Sequence, residues 1–175
     1  MAIYAFEGRA PRIAASAYVH PDATVIGDVT IEDDCYIGPG ARLRGDWGAI
    51  RIGAGSNVQE NCVLHARPDF PVTLAHDSHI GHSAVLHGCT LEPDCLIGTG
   101  AIVLDGAIVG EGCIVGSGAL ITAGVVIPPR KIVWGAPAEV RGDVSPARAA
   151  LKRRGTQRYQ TLPERYRAGL VRLDG

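Results

Sequence analysis

The chain has 175 residues, a formal net charge of −1 and 46% hydrophobic residues, yet only nine aromatics: two Trp, five Tyr and two Phe. That length suits one domain with an appendage, and so few rings mean that burial falls to Val, Ile and Leu at repeated, similar sites. Near-neutral charge, a pI of about 6.6 and no long basic run exclude nucleic acid and membranes as partners attracted by charge.

The first residues, MAIYAFEGRAPRIAA, are broken by Glu7, Arg9 and Arg12, and the longest apolar run, Ala119 to Ile127, ends at Pro128-Pro129. Neither reads as a signal peptide or a membrane span, so a cytoplasmic protein is expected. Residues 1–16 form an extended N-terminal segment. From residue 17 a six-residue repeat begins: Val19, Val25, Ile31, Ile37 and Leu43, then Ile52, Val58 and Leu64, then Leu74, Ile80 and Leu86, then Leu91, Ile97, Val103, Val109, Val115, Ile121 and Ile127. All eighteen slots hold Val, Ile or Leu, where chance would fill roughly a quarter. Two residues before each slot lies a second, mostly small set that includes all five cysteines, Cys35, Cys62, Cys89, Cys95 and Cys113. Their odd number and lack of CxxC spacing argue against disulfides or a zinc ribbon, and the frame makes them small buried hydrophobes. Glycine follows the slot at 38, 53, 81, 98, 110 and 116, where a corner would need a permissive backbone.

Such a period is the mark of a parallel β-helix over residues 17–135. It resembles the left-handed hexapeptide-repeat family, a resemblance that implies triangular coils of three hexads and hence about six coils. The frame breaks at 44–49 and 65–71 (RGDWGA, HARPDFP) predict outward bulges at corners. Beyond Ile127 the prolines end the helical path, and residues 136–175 form a linker and C-terminal α-helices. Leu151, Tyr159, Leu162, Tyr166, Leu170 and Leu173 give that segment a helical spacing interrupted by Gly155 and Pro163. One short and one longer helix are expected against the prism or a neighbouring subunit, with the charged run a solvated face.

Slots three steps apart share a corner in adjacent coils, about 4.8 Å apart. Counting places Arg44, His65 and His87 on one corner, and Gln59 below His82 on another. His82 is then too far within one chain to share a metal held at about 2.0–2.1 Å per nitrogen, whereas three prisms around a three-fold axis would bring the two corners together. His20, His76 and His79 read as solvated turn side chains.

The strings LRGDWG (43–48), NVQEN (57–61), VLH (63–65), HIGH (79–82), VLHGCT (85–90) and LDGAIVG (104–110) resemble the γ-class carbonic anhydrase family. YAFEG, WGAPA and RGTQRYQ are similar to its branch encoded near carnitine and phenylacetate metabolism. The resemblance implies a homotrimer in which His65 and His87 of one subunit and His82 of the next hold Zn2+, or another divalent ion such as Fe2+ or Co2+. It implies an inter-subunit ion pair of Arg44 with Asp46, and Gln59 hydrogen-bonded near a metal-bound water. Zinc bound in a carbonic anhydrase brings the pKa of its water to about 7, so that hydroxide attacks CO2 to give bicarbonate. Where the family carries proton-shuttling glutamates, this chain has Trp47 and Pro68; Asp69 and Tyr159 are the candidates to assist instead. The same metal site could hydrolyse an acyl-CoA thioester. Hexapeptide acyltransferases, and a non-catalytic assembly protein with a structural metal, are the other readings.

Overall fold

Two-residue strands flanked by turns recur along the chain because each hexad offers one branched aliphatic to the inside and must then turn a corner. In the computed structural model, which describes residues 2–174, these strands stack in parallel register into a left-handed β-solenoid. Three interior columns result. The first holds Ile3, Val25, Leu43, Leu64, Leu86, Val103 and Ile121. The second holds Ile13, Ile31, Ile52, Leu74, Leu91, Val109 and Ile127. The third holds Val19, Ile37, Val58, Ile80, Ile97, Val115 and Val133.

All eighteen slots therefore lie in the columns, and Ile3, Ile13 and Val133 extend them to about seven turns rather than six. Ile3 and Ile13 escape the hexad count because the chain between them detours through the Phe6–Arg9 hairpin. Nor does the path stop at the prolines. Lys131–Gly135 adds one more parallel strand, and Ala138–Asp143 then folds back on it antiparallel.

The bulges fall where the frame breaks. Between Gly27↔Gly45 and Val29↔Ile50 the register shifts, leaving three extra residues of the strand Arg42–Ile52 outside the ladder. The 65–71 insertion is pinned by a pair of backbone hydrogen bonds between Arg67 and Phe70. The two bulges stack so closely that a Cβ on Gly48 would stand 2.2 Å from the Arg67 carbonyl oxygen. Gly98, and the other glycines that follow slots, need explaining differently from a corner φ. A Cβ on Gly98 would lie 2.5 Å from the Ser117 nitrogen of the next coil, whereas the left-handed backbone belongs to Gly100, two residues later (φ +67°). Close approach between coils is what selects the first of these glycines.

All five cysteines are free and buried. Four of the thiols reach a corner carbonyl one coil above: Cys35 to Gly53, Cys62 to Gly81, Cys95 to Gly110 and Cys113 to Pro128, at 3.1–3.2 Å.

The helices α1 (Pro146–Gln160) and α2 (Leu162–Gly169) cover one wall. Ser145 caps α1 by accepting from the Arg148 N–H. Gly155 does not interrupt α1; the break comes at Thr161, before Pro163. The expected apolar stripe faces the wall only in its middle: Tyr159 and Tyr166 pack on Tyr36 and Leu162 is half-buried, whereas Leu151 is 63% exposed and Leu173 94%. The buried positions of α1 are Lys152 and Thr156, because the wall beneath them is polar and aromatic. Lys152 pairs with the Asp94 carboxylate and also donates to the Asp94 carbonyl. Gln160 donates to Gly55 O (3.0 Å) and Asp77 Oδ1 (2.7 Å), and the Arg167 guanidinium donates to the carbonyls of Ala15, Ser16 and Ala17. No helix among the described residues is long and apolar enough to cross a membrane.

Burial pushes the thiols of Cys35, Cys89 and Cys95 up to about 12 and that of Cys62 up to about 11. A raised thiol pKa leaves almost no thiolate, the reactive form, at about pH 8. Titration with an aromatic disulfide reagent at that pH should find none of the five thiols in the folded protein and all five after unfolding.

Candidate functional site

The stacking that fills the core also aligns the first residue past each slot. Arg44 pairs in register with His65, and His65 with His87. The two rings face each other with His65 Nδ1 3.0 Å from His87 Nε2. Each ring is held from behind by a carboxylate. Asp105 Oδ1 lies 2.5 Å from His87 Nδ1, and its other oxygen accepts from Arg67 Nη1 at 3.0 Å. Asp46 Oδ1 lies 3.3 Å from His65 Nε2, and its Oδ2 accepts from Arg44 Nη1 at 2.7 Å.

Ionised carboxylates only accept, so each holds the N–H of its imidazole. Burial pushes the Asp46 and Asp105 carboxyls up, but hydrogen bonds from Arg44 to the first, and from His87 and Arg67 to the second, outweigh it and hold both below the usual range. Burial, reinforced by the Arg44 charge, lowers the His65 pKa against the pull of Asp46. With both rings neutral, the two facing nitrogens present lone pairs to each other at 3.0 Å, a contact that a shared proton or a metal cation relieves. Two nitrogens on one tetrahedral zinc stand about 3.3 Å apart, and metal-bound histidines are backed by carboxylates in this way. The donor set fits half of a divalent-metal site. It is not a complete one within the chain: among the described residues no group of three or more His, Cys, Asp or Glu could hold an ion.

The other corner carries His82, exposed, with its Nδ1 2.5 Å from Glu60 Oε2. The second Glu60 oxygen lies 3.4 Å from the Tyr36 hydroxyl, which can donate to it. Gln59 does not reach the His65–His87 pair in this chain. It is buried, donates to Asn57 Oδ1 at 3.0 Å, and lies 2.8 Å from His79 Nε2. His79 is accordingly no solvated turn residue, being packed edge-on against Tyr159, with ring centroids 5.1 Å apart. His20 also packs, against Tyr18 and Tyr166, while His76 is exposed as expected.

Tyr159 thus belongs to the helix-covered wall, near His82 rather than the His65–His87 corner. Asp69 sits in an exposed turn and makes no side-chain hydrogen bond or ion pair among the described residues; Arg67, two residues earlier, supplies the polar contact toward His87 through Asp105. Arg44 and Asp46 close their ion pair within the chain, because alternate residues of one strand project the same way. Sequence reasoning gave no role to Asp105, Arg67, Glu60 or His79. Only Asp105 left a countable signal, since Val103 is the slot stacked on Leu86 and Asp105 follows it on the His87 corner.

Burial, with the Lys152 and His82 charges adding to it, drops the His79 pKa from 6.5 to about 4. The unfolded chain therefore takes up this proton before the folded protein does. His79 contributes its full stabilisation above pH 6.5, and that contribution is lost as pH falls to about 4, by up to about 3 kcal/mol. Urea unfolding between these pH values should show this slope, and His79→Gln should flatten it.

Three comparisons bear on the chain. The profile of the bacterial transferase hexapeptide (six repeats) family matches residues 10–45 and 88–123. The carnitine operon protein CaiE of Citrobacter koseri is 46% identical over 170 residues, covering 97% of this chain and 86% of its own. Among solved structures, a Bacillus cereus protein named provisionally as an acetyltransferase superposes with a TM-score of 0.92 at 35% identity, covering 95% of this chain and 96% of its own. A hexapeptide transferase family protein from Anaplasma phagocytophilum gives 0.90 at 31%, covering 94% and 98%.

Proposed function

The chain belongs to the hexapeptide-repeat family that includes the carnitine operon proteins CaiE, and on that premise we propose that it is a metal-dependent enzyme of the γ-carbonic-anhydrase type, hydrating CO2 at a site shared between the subunits of a trimer. The observation that carries this reading is the facing pair His65 Nδ1 and His87 Nε2, 3.0 Å apart with their other nitrogens claimed by Asp46 and Asp105. A single catalytic base, as acyl transfer would use, needs neither the second imidazole nor its carboxylate. Acyl transfer, suggested by the name of the Bacillus cereus relative, and hydrolysis of an acyl-CoA thioester remain the competing activities. A non-catalytic assembly protein with a structural metal is the competing role outside enzymes.

His65 and His87 would supply two ligands to Zn2+, Fe2+ or Co2+, and His82 of a neighbouring copy the third. When bound, the divalent ion supplies Lewis-acid activation of water, the nucleophile that hydration and hydrolysis both require. The chain's own groups prepare for this. Asp105, anchored by Arg67, fixes the His87 ring with Nε2 free, and Asp46, anchored by Arg44, fixes His65 with Nδ1 free. Glu60 does the same for His82, holding Nδ1 and leaving Nε2 outward.

A trimer is supported by the wall that bears the pair. Its outward residues Val63, Val85, Ile102 and Leu120 form a partly exposed apolar stripe in register, uncovered by either helix, and Trp47 stands 62% exposed beside His65. Such a stripe marks a protein contact surface.

The test is subunit mixing with metal analysis. His82→Ala and His87→Ala should each abolish CO2 hydration and metal retention. Hybrids assembled from equal amounts should recover about one quarter of wild-type activity, the share of interfaces that keep all three histidines. Verified hybrids with no recovery would sink the shared site. Full activity in metal-free protein would sink the metal reading, and thioester hydrolysis or acyl transfer without CO2 hydration would replace the substrate.

A further inference from the structure

The C-terminal segment is far more polarised than the whole-chain charge suggests. Residues 146–175 hold eight of the 17 basic side chains and only two of the 18 acidic ones. Part of this excess is structural: Lys152 is buried on Asp94, and Arg167 is spent on three carbonyls. Arg153 and Arg172 also face carboxylates, those of Asp94 and Asp174; others are unpaired among the described residues. Arg154 and Arg158, one turn apart on the same side of α1, and Arg165 on α2 are exposed, and among the described residues no carboxylate lies within 4.0 Å of any of them.

Helix energetics account for only one of them: Arg158 lies in the last turn of α1, where the dipole favours a cation. Arg154 and Arg158 repel each other at i,i+4, and Arg165 is the fourth residue of α2, close to the positive end of its dipole. These three arginines line a shallow, open groove at the α1–α2 junction together with Gln157, Tyr159, Thr161 and Leu162. Guanidinium forks match phosphate oxygens, and three of them can serve more than one phosphate group. Tyr159 and Leu162 offer a ring and an aliphatic surface beside them.

We propose that this groove binds the diphosphate of a nucleotide-like ligand, with Arg154, Arg158 and Arg165 on the phosphates and Tyr159 and Leu162 against its ring. The groove is distinct from the histidine pair but joins the other half-site through packed groups. Tyr159 contacts both His79 and Tyr36, Tyr36 reaches Glu60, and Glu60 holds His82. The binding proposal does not depend on the metal reading, since the groove lies wholly within one chain.

The experiment titrates the full-length protein with ADP, inorganic pyrophosphate and adenosine by calorimetry at about 50 mM salt, where exposed charges are still weakly screened. ADP should bind, pyrophosphate should bind more weakly, and adenosine should not bind. Arg158→Ala should weaken ADP roughly tenfold, the loss expected for one charged hydrogen-bonding group, and Arg154→Ala with Arg165→Ala by more. Arg148→Ala, at the far end of α1, should change nothing. Amide shifts in labelled protein should cluster on α1 and α2, which locates the ligand even if a variant folds poorly. Lack of ADP binding, binding indifferent to the three arginines, or shifts located elsewhere would overturn the proposal. Pyrophosphate binding as tight as ADP would remove the ring subsite.

Discussion

One constraint governs this molecule: the solenoid is so narrow that each wall of each turn admits a single branched aliphatic. Neighbouring strands lie about 4.8 Å apart, and a slip of one residue would turn the whole inward set outward, so register is fixed at every level of the columns. A residue just past a slot is therefore as rigidly placed as the core itself. Arg44, His65 and His87 stack because Leu43, Leu64 and Leu86 do. The chemistry of the candidate site inherits its precision from aliphatic packing, with no loop needed to hold the imidazoles in line.

The same constraint explains where polar function can enter. An extra residue cannot stay inside a saturated column, so insertions leave at corners, and the two that do leave border the histidine pair. The 44–49 bulge carries Asp46 and the 65–71 bulge carries Arg67, and their backbones touch across Gly48. Each bulge thus supplies a charge that acts on an imidazole, directly in the case of Asp46 and through Asp105 in the case of Arg67. The frame breaks are where the solenoid acquires carboxylate and guanidinium groups that a strict hexad would leave to its outer faces.

Much of this was legible in the chain because a six-residue period converts sequence distance into spatial position. The columns, the buried cysteines and the stacking of His65 under His87 all follow from counting. The rest was not countable. Ile3 and Ile13 precede the regular frame, and the β-hairpin after Val133 follows it, so a periodic reading stops short at both ends. The C-terminal helices misled for another reason. Leucines at helical spacing suggest an apolar face, but the wall they meet is lined by Tyr36, Asn57 and His79, and a buried Lys152–Asp94 pair suits it better than Leu151 does. His79 changes from a turn residue to a buried base for the same cause: its environment is supplied by Tyr159, eighty residues away in sequence.

The proposed third histidine would have to come from another chain, and the same dimensions say why. His82 and His87 lie five positions apart on a path that turns one corner and then runs along a wall, on the order of 15 Å at strand rise. Ligands of one zinc ion need to converge to about 3.3 Å. An imidazole reaches only a few ångströms from its backbone, and the wall between the two corners is hydrogen-bonded to the coils above and below, so it cannot fold to shorten the gap. Filling the interior with aliphatics rules out the remaining route, a site inside the prism. For His82 to join His65 and His87 on one ion therefore requires corners of different chains. The apolar stripe from Val63 to Leu120 lies on the wall where His65 and His87 would need to meet such a partner. The solenoid that makes half a site so regular is what prevents one chain from finishing it.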